Sequence, residues 1–359
     1  MTEVLRSITC RNDYILPPHG FKADDLLNKS TVFYGASGTG KTFGLFSLTH
    51  LLQPHIDLWY VFSPTAGLDR NSPYNDDVIP AMFRCHRLDF RKLKLIIDGQ
   101  ELKVTIYNKS NDPQILFEIL SHLPESKTQL SIYKSMYNKV NIDIKSLPPD
   151  KKARVELARE KIIVQLKIRI LRNRDTLFKL DSQILPEDLK TIIKNIHRKP
   201  DIGIIFDDMG PEMKKASGEL DLLLDELYTR GRHYRITFFN LLQDLTQLKP
   251  GQRTNGMNFI FTDPASAIRY ANDTKDRNIK DAFSNAIFTI FHTTDDKYKY
   301  IKLLYFRNPS PTQPSICYTK FHNGSPTRLC SEKYFQIANA QTGNRILSLS
   351  STNTFASSM

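Results

Sequence analysis

Gly35-Ala36-Ser37-Gly38-Thr39-Gly40-Lys41-Thr42 fits the pattern G-x-x-x-x-G-K-[ST]. Ahead of it runs an apolar, β-favouring tetrad, Thr31-Val32-Phe33-Tyr34, and behind it Phe43-Gly44-Leu45-Phe46-Ser47-Leu48-Thr49 reads as a buried helix. Strand, glycine-rich turn and helix form the context in which this motif cradles a phosphate. The glycines let successive backbone N–H groups curl around an anion, and the helix N-terminus adds unpaired donors and partial positive charge. Lys41 is then expected to reach the β- and γ-phosphates of a nucleotide, and the Thr42 hydroxyl to ligate Mg²⁺.

A second stretch completes the chemistry. Ile202-Gly203-Ile204-Ile205-Phe206-Asp207-Asp208 is an apolar strand ending in paired acids, the Walker B pattern. A strand buried on both faces opens at its carboxyl end onto the crevice beside the phosphate loop. Asp207 there holds Mg²⁺ and Asp208 polarises the attacking water as general base. The bland alternative is a strand ending in a solvated Asp-Asp turn. Many hydrolysing ATPases carry Glu at the second position, so Asp208 is a shorter variant.

An amphipathic helix follows, with Leu220, Leu223, Leu224, Leu227 and Tyr228 on one stripe. Next comes a buried strand, Ile236 to Leu242, with Gln243 at its carboxyl end. The 36 residues from Asp207 to Gln243 are enough for one helix and one strand. Gln243 is thereby expected in the same crevice, orienting water without charge; otherwise it is a strand-end glutamine facing solvent. Between helix and strand, Arg230 or Arg232 is a candidate finger for a neighbouring subunit's γ-phosphate. The competing reading is charge complementation at a helix end.

The chain has 359 residues with 40% apolar content, and 50 Lys and Arg against 38 Asp and Glu give a net charge of +12. That excess suits a polyanionic partner, or else marks a generically basic surface. No apolar run approaches the ~18 residues of a membrane span, and the first residues lack a signal-peptide apolar region. Cys10, Cys85, Cys317 and Cys330 are scattered, which argues against a disulfide framework or zinc module and for a reducing, intracellular setting.

Residues 1–30 read as a lead-in, 31–338 as one α/β domain and 339–359, rich in Ser, Thr and Asn, as a flexible tail. Ile56 to Ser63 reads as a strand, residues 65–80 as a loop, Val104-Thr105-Ile106-Tyr107 as a short strand, and 113–123 as a helix. Asn108-Lys109 misses the guanine-reading N-K-x-D because position 111 is Asn. Residues 150–199 read as a mainly helical insertion carrying 14 Lys/Arg against 7 Asp/Glu, with one long helix from Lys151 to Leu180. This is either a nucleic-acid-facing arm or a solvated helical hairpin. A further helix is expected around Ile279, Phe283 and Ile287, and strands at 300–306 and 316–319.

Taken together, Gly35–Thr42, Ile204-Ile205-Phe206-Asp207-Asp208-Met209 and Tyr228-Thr229-Arg230-Gly231-Arg232-His233 leading to Gln243 resemble the viral genome-packaging ATPases of the FtsK/HerA superfamily. The likeness is strongest to the poxvirus-type branch of large double-stranded DNA viruses. It covers roughly residues 30–64 and 200–275, including Arg253-Thr254-Asn255-Gly256 and Asn258-Phe259-Ile260-Phe261. It implies a RecA-like P-loop NTPase fold, with a mainly parallel sheet flanked by helices, and ATP with Mg²⁺ at the interfaces of a homo-oligomeric ring of five or six subunits. Gln243 would be the γ-phosphate sensor, and the arginine acting in trans would come from the basic segment. It also implies double-stranded DNA in the ring, capsid or portal-vertex proteins as partners, and a home in the virion or cytoplasmic virus factory. The alternatives are another P-loop nucleic-acid motor, such as a helicase or loader, and an ATP-gated assembly switch. No L-S-G-G-Q stretch is present, which argues against a transporter ATPase.

Overall fold

The computed structural model describes residues 8–9, 15–67, 72–123, 127–143, 145–196, 199–273, 277–292, 301–311, 313–321 and 324–341. In chain order, the pair β1 (Ile8–Thr9) and β2 (Ile15–Leu16) precedes the one-turn helix α1 (Ala23–Leu26). Strand β3 (Ser30–Tyr34) feeds helix α2 (Lys41–Leu52), followed by β4 (Trp59–Phe62) and β5 (Arg84–Cys85). A helical run comes next: α3 (Phe90–Lys109), α4 (Pro113–Ser121), α5 (Lys127–Val140), α6 (Pro149–Arg172), α7 (Arg174–Phe178) and α8 (Glu187–Asn195). The sheet resumes with β6 (Ile202–Asp207), then α9 (Gly210–Lys215), α10 (Glu219–Arg230), β7 (Ile236–Leu242), α11 (Pro250–Asn255) and β8 (Asn258–Phe261). Helices α12 (Pro264–Asp273) and α13 (Arg277–His292) lead to β9 (Ile301–Phe306) and β10 (Ile316–Lys320).

Two compact units result, one built from residues up to Ile97 together with those from Asp201 on, the other from Asp98–Pro200. The first holds an eight-stranded sheet in the order β10-β9-β8-β3-β7-β6-β4-β5. The strands from β8 to β5 run parallel, while β9 pairs antiparallel with both β8 and β10. Every residue of β3, β6 and β7 is buried. Such continuous apolar strands belong in the middle of a parallel sheet covered by helices on both faces. The lead-in belongs to this unit. The His19 N–H donates to the Tyr318 carbonyl at 2.8 Å, and the Tyr318 N–H donates to the Pro17 carbonyl at 3.1 Å, so residues 17–19 line the outer edge of β10.

The second unit has its own core, with Leu116, Ile119 and Leu120 of α4, Leu166 and Ile170 of α6, and Ile192 and Ile193 of α8 all buried. Some of its positive charge is used internally. The Lys167 ammonium donates to the Asn111 side-chain carbonyl at 2.6 Å and lies over the Tyr107 ring, and Arg159 donates to the Val140 carbonyl at 2.7 Å. Arg172 and Arg174 remain exposed.

Two sequence expectations need correction. Val104-Thr105-Ile106-Tyr107 is helical, lying inside α3, because Leu93, Ile96, Ile97, Gln100 and Val104 are its buried positions and recur at helical spacing. That longer periodicity overrides the strand preference of a β-branched tetrad. The helix expected from Lys151 to Leu180 is interrupted at Asn173, whose side-chain amide donates to the Arg169 carbonyl at 2.9 Å before α7 begins. The compact helical unit spans Asp98–Pro200, and residues 150–199, read from the sequence as an insertion, fall within it. Of the tail expected at 339–359, everything after residue 341 lies outside the described residues.

Candidate active site

The site lies at the carboxyl ends of β3, β7, β6 and β8. Gly35 opens the phosphate loop, and its N–H donates to the Leu242 carbonyl at the end of β7. Glycine is required there: a Cβ would fall 1.8 Å from Thr262 Oγ1 and 2.7 Å from Thr39 Oγ1. Gly40 takes the left-handed conformation, φ 85°, at the N-cap of α2, where a Cβ would be strained. The Lys41 ammonium is buried and donates to the carbonyls of Gly35 (2.7 Å) and Ala36 (2.9 Å). Those carbonyls hold it beneath the loop, in the position from which a phosphate oxygen can claim it. Burial lowers the Lys41 pKa, and the carboxylates of Asp208, Asp207 and Asp263 oppose that shift.

Across the crevice, β7 lies between β3 and β6, so the phosphate loop and the acidic pair flank one intervening strand. Asp207 pairs in register with Leu241, and Tyr34 with Leu242. Asp207 is buried, and its carboxylate accepts from the Tyr74 hydroxyl at 2.8 Å. Burial pushes its pKa up to about 6; the Tyr74 hydrogen bond opposes the rise, and the neighbouring Asp208 charge adds to it. Asp208 follows with φ 57°, an unusual value for a non-glycine residue that turns its side chain out of the strand line. The exposed Gln243 amide donates to Asp208 Oδ1 at 3.1 Å, while its own backbone N–H donates to the Gln247 side chain at 2.9 Å. The structure thus brings Lys41, Asp207, Asp208 and Gln243 to one edge of the sheet.

Thr42 Oγ1 and the Asp207 carboxylate are hard oxygen donors of the kind Mg²⁺ takes, with phosphates and water filling the rest of its shell. Among the described residues there is no cluster of three or more His, Cys, Asp or Glu that could cage an ion. The donor set fits Mg²⁺, which is held by one or two protein oxygens together with substrate phosphates.

Arg230 and Arg232 are not brought to this site. Both are exposed at the turn before β7, at its amino end, while the phosphate loop lies at the carboxyl end. Seven residues of strand separate the two ends by roughly 20 Å. Arg230 makes a 3.5 Å contact with Glu226, and Arg232 contacts His233 at 3.3 Å.

Four side chains at the site escaped the sequence reading. Tyr74 comes from the stretch expected to be a plain loop, and nothing local marks it. Asp263 accepts from the Ala36 N–H (2.9 Å) and from Ser266 N and Oγ, joining the phosphate loop to the start of α12. Thr262 Oγ1 lies 2.6 Å from Thr39 Oγ1 and bonds the Tyr34 carbonyl. These two stand at the end of an apolar strand, the same signal that exposed Asp207. Lys302, a single cation inside the apolar run of β9, is fully buried and donates to the Thr39 carbonyl at 2.7 Å.

No family profile matches the chain. It is 25% identical over 337 residues to protein B354L of African swine fever virus (isolate Tick/Malawi/Lil 20-1/1983), covering 86% of each chain. The counterpart from isolate Pig/Kenya/KEN-50/1950 is 27% identical over 280 residues, 71% of this chain and 73% of that one. Similar solved structures include B204, the DNA-packaging ATPase of Sulfolobus turreted icosahedral virus, with a TM-score of 0.42 and 11% identity over 82% of this chain and 98% of that one. The pCW3 conjugation coupling protein TcpA, bound to ATPγS, gives a TM-score of 0.41 and 12% identity over 89% of this chain and 66% of its own. Superpositions this loose transfer no residue and no role. The arrangement itself, with a strand interposed between the phosphate loop and the acidic pair, is that of a RecA-like P-loop fold.

Proposed function

We propose that this chain is an ATP-driven double-stranded DNA translocase, the motor that packages a viral genome into its capsid. One observation carries the hydrolytic half of this reading: β7 separates the phosphate loop from Asp207-Asp208 and delivers Gln243 onto Asp208. The sequence resemblance carries the DNA-packaging half.

In this reading the loop N–H groups and Lys41 bind the β- and γ-phosphates of ATP. Thr42 and Asp207 hold Mg²⁺, which when bound neutralises charge on those phosphates. Asp208 accepts a proton from the attacking water, and Gln243 holds that water and the carboxylate in line. An arginine from a neighbouring copy, Arg232 or Arg230, supplies positive charge to the γ-phosphate, so the working assembly is a ring of five or six subunits around DNA. Capsid or portal-vertex proteins are the docking partners, in the virion or the cytoplasmic virus factory.

The test is ATP turnover with and without double-stranded DNA, for wild type, Lys41→Ala and Gln243→Ala. The expected result is DNA-stimulated hydrolysis, reduced on the order of a hundredfold in each variant. Hydrolysis indifferent to DNA would instead make the chain a nucleotide switch, and separation of a forked duplex would make it a helicase.

A further inference from the structure

We propose that Gln247 is a positioning residue of the nucleotide site, whose side-chain carbonyl holds the backbone of Gln243 and so aims the Gln243 amide at Asp208. The proposal rests on the hydrolytic reading above and deepens it by naming what keeps the water-orienting glutamine in place. Gln243 stands just past Leu242, the last residue of β7, and is exposed. A long exposed side chain points one way only at a cost in rotamer freedom, so its direction is best set by the backbone beneath it. The chain turns soon after Gln243. A single 3₁₀ turn, Leu245–Gln247, is anchored by the buried Leu245 and Leu248. From this turn the Gln247 side chain folds back, and its Oε1 accepts from the N–H of Gln243 at 2.9 Å and from the N–H of Asp244 at 3.2 Å. An amide oxygen has two lone pairs, and here consecutive peptides take up both.

The same carboxamide is bounded on its other side by the turn that follows β6. Gly210, just beyond Asp208 and Met209, leaves no room for a side chain: a Cβ there would fall 2.3 Å from Gln247 Cδ and 2.5 Å from its Oε1. Gln247 therefore lies against the turn that carries Asp208 while holding the peptides on either side of the Gln243 Cα. The Gln243 amide donates to Asp208 Oδ1 at 3.1 Å between those two strand ends. Farther out, the Asp244 carboxylate pairs with Arg269 of α12, the helix that begins beside Asp263 and the phosphate loop. Removing the Gln247 acceptor thus loosens the Gln243 peptide without taking any group from the phosphates. Its effect belongs on turnover and not on nucleotide affinity.

The experiment measures ATP turnover with double-stranded DNA present, and equilibrium binding of a non-hydrolysable ATP analogue, on the full chain. The variants are Gln247→Met, Gly210→Ala, Gln243→Ala, and Gln243→Ala combined with each of the first two, with a thermal melt of each. Gln247→Met keeps the length of the side chain and removes the acceptor. Gly210→Ala leaves Gln247 intact and drives its carboxamide aside, so it carries the same test should the methionine variant fail to fold. Each of these two should lower kcat about tenfold, as the misplacement of a group in a site does, with analogue affinity within about twofold of wild type. Because Gln247 acts through Gln243, adding either substitution to Gln243→Ala should change turnover by less than about twofold. A residue with a purely structural role would multiply its own loss onto that of Gln243→Ala. Wild-type turnover in the folded Gln247→Met and Gly210→Ala variants, a loss in analogue affinity instead of kcat, or multiplying losses in the double variants would overturn the proposal. If wild type hydrolyses no ATP, or Gln243→Ala hydrolyses it as wild type does, the hydrolytic reading of Gln243 fails and this proposal fails with it.

Discussion

Asp207 and Asp208 are adjacent in sequence, yet the chain places them in opposite surroundings. Asp207 is buried and held by a tyrosine, whereas Asp208 is exposed, turned out by a positive φ and held by an amide. In the proposed mechanism, two carboxylates whose environments differ in this way divide the labour of ligand and base. In that mechanism Tyr74 fixes the ligand side, because its hydroxyl orients one Asp207 carboxylate oxygen and leaves the other for an ion. Tyr74→Phe keeps the packing of a fully buried ring and removes only that orientation. We expect it to raise the Mg²⁺ concentration needed for half-maximal hydrolysis by about tenfold, as losses of residues that orient metal ligands do. Hydrolysis titrated with Mg²⁺ at fixed ATP reads this directly, and an unchanged midpoint would remove Tyr74 from the site.

At the scale of elements, the sheet's centre is fixed by close approach as much as by apolar content. Gly203 on β6 lies against Trp59 of the neighbouring β4, where an added Cβ would come within 2.0 Å of the indole ring. Gly203→Ala should therefore cost about 1–3 kcal/mol, the usual range for overpacking a filled core. Chemical denaturation would show this as a lower midpoint at unchanged slope. The parallel core was legible in the sequence because β3, β6 and β7 are continuous apolar runs ending in polar residues, and the motif spacing leaves room for one strand between two of them. The span before β6 was less legible. Val104 to Tyr107 looks like a strand over four residues and resolves as helix only over the twenty of α3. The same contrast holds at the site. Asp207, Asp208 and Gln243 end strands that local pattern reveals, whereas Tyr74 arrives from a long irregular segment by tertiary folding alone. Lys302 carried a faint mark, a lone cation in an apolar run, which acquires meaning only once β9 is known to run antiparallel next to β8.

For the whole molecule, Arg230 and Arg232 stand at the far end of the sheet from their own phosphate loop, so any service to a γ-phosphate is rendered to another copy. Mixing tests this. Lys41→Ala and Arg232→Ala chains, each inactive alone, should regain a fraction of wild-type turnover when combined, since one interface in the mixed ring holds both an intact loop and an intact arginine. If the mixture stays at the level of its parts, Arg232 serves no neighbour; the same pairing with Arg230→Ala then decides for the other arginine. The outer rim of the sheet carries a different consequence. β10 is the last strand, and residues 17–19 occupy backbone groups along its open side. An open strand is a template on which another chain can pair and aggregate. Residues 17–19 are thus a selvage, the finished border that keeps this sheet from growing past β10, and a chain trimmed back to Ser30 would keep its phosphate loop and acidic pair while offering a raw edge to every other copy in solution.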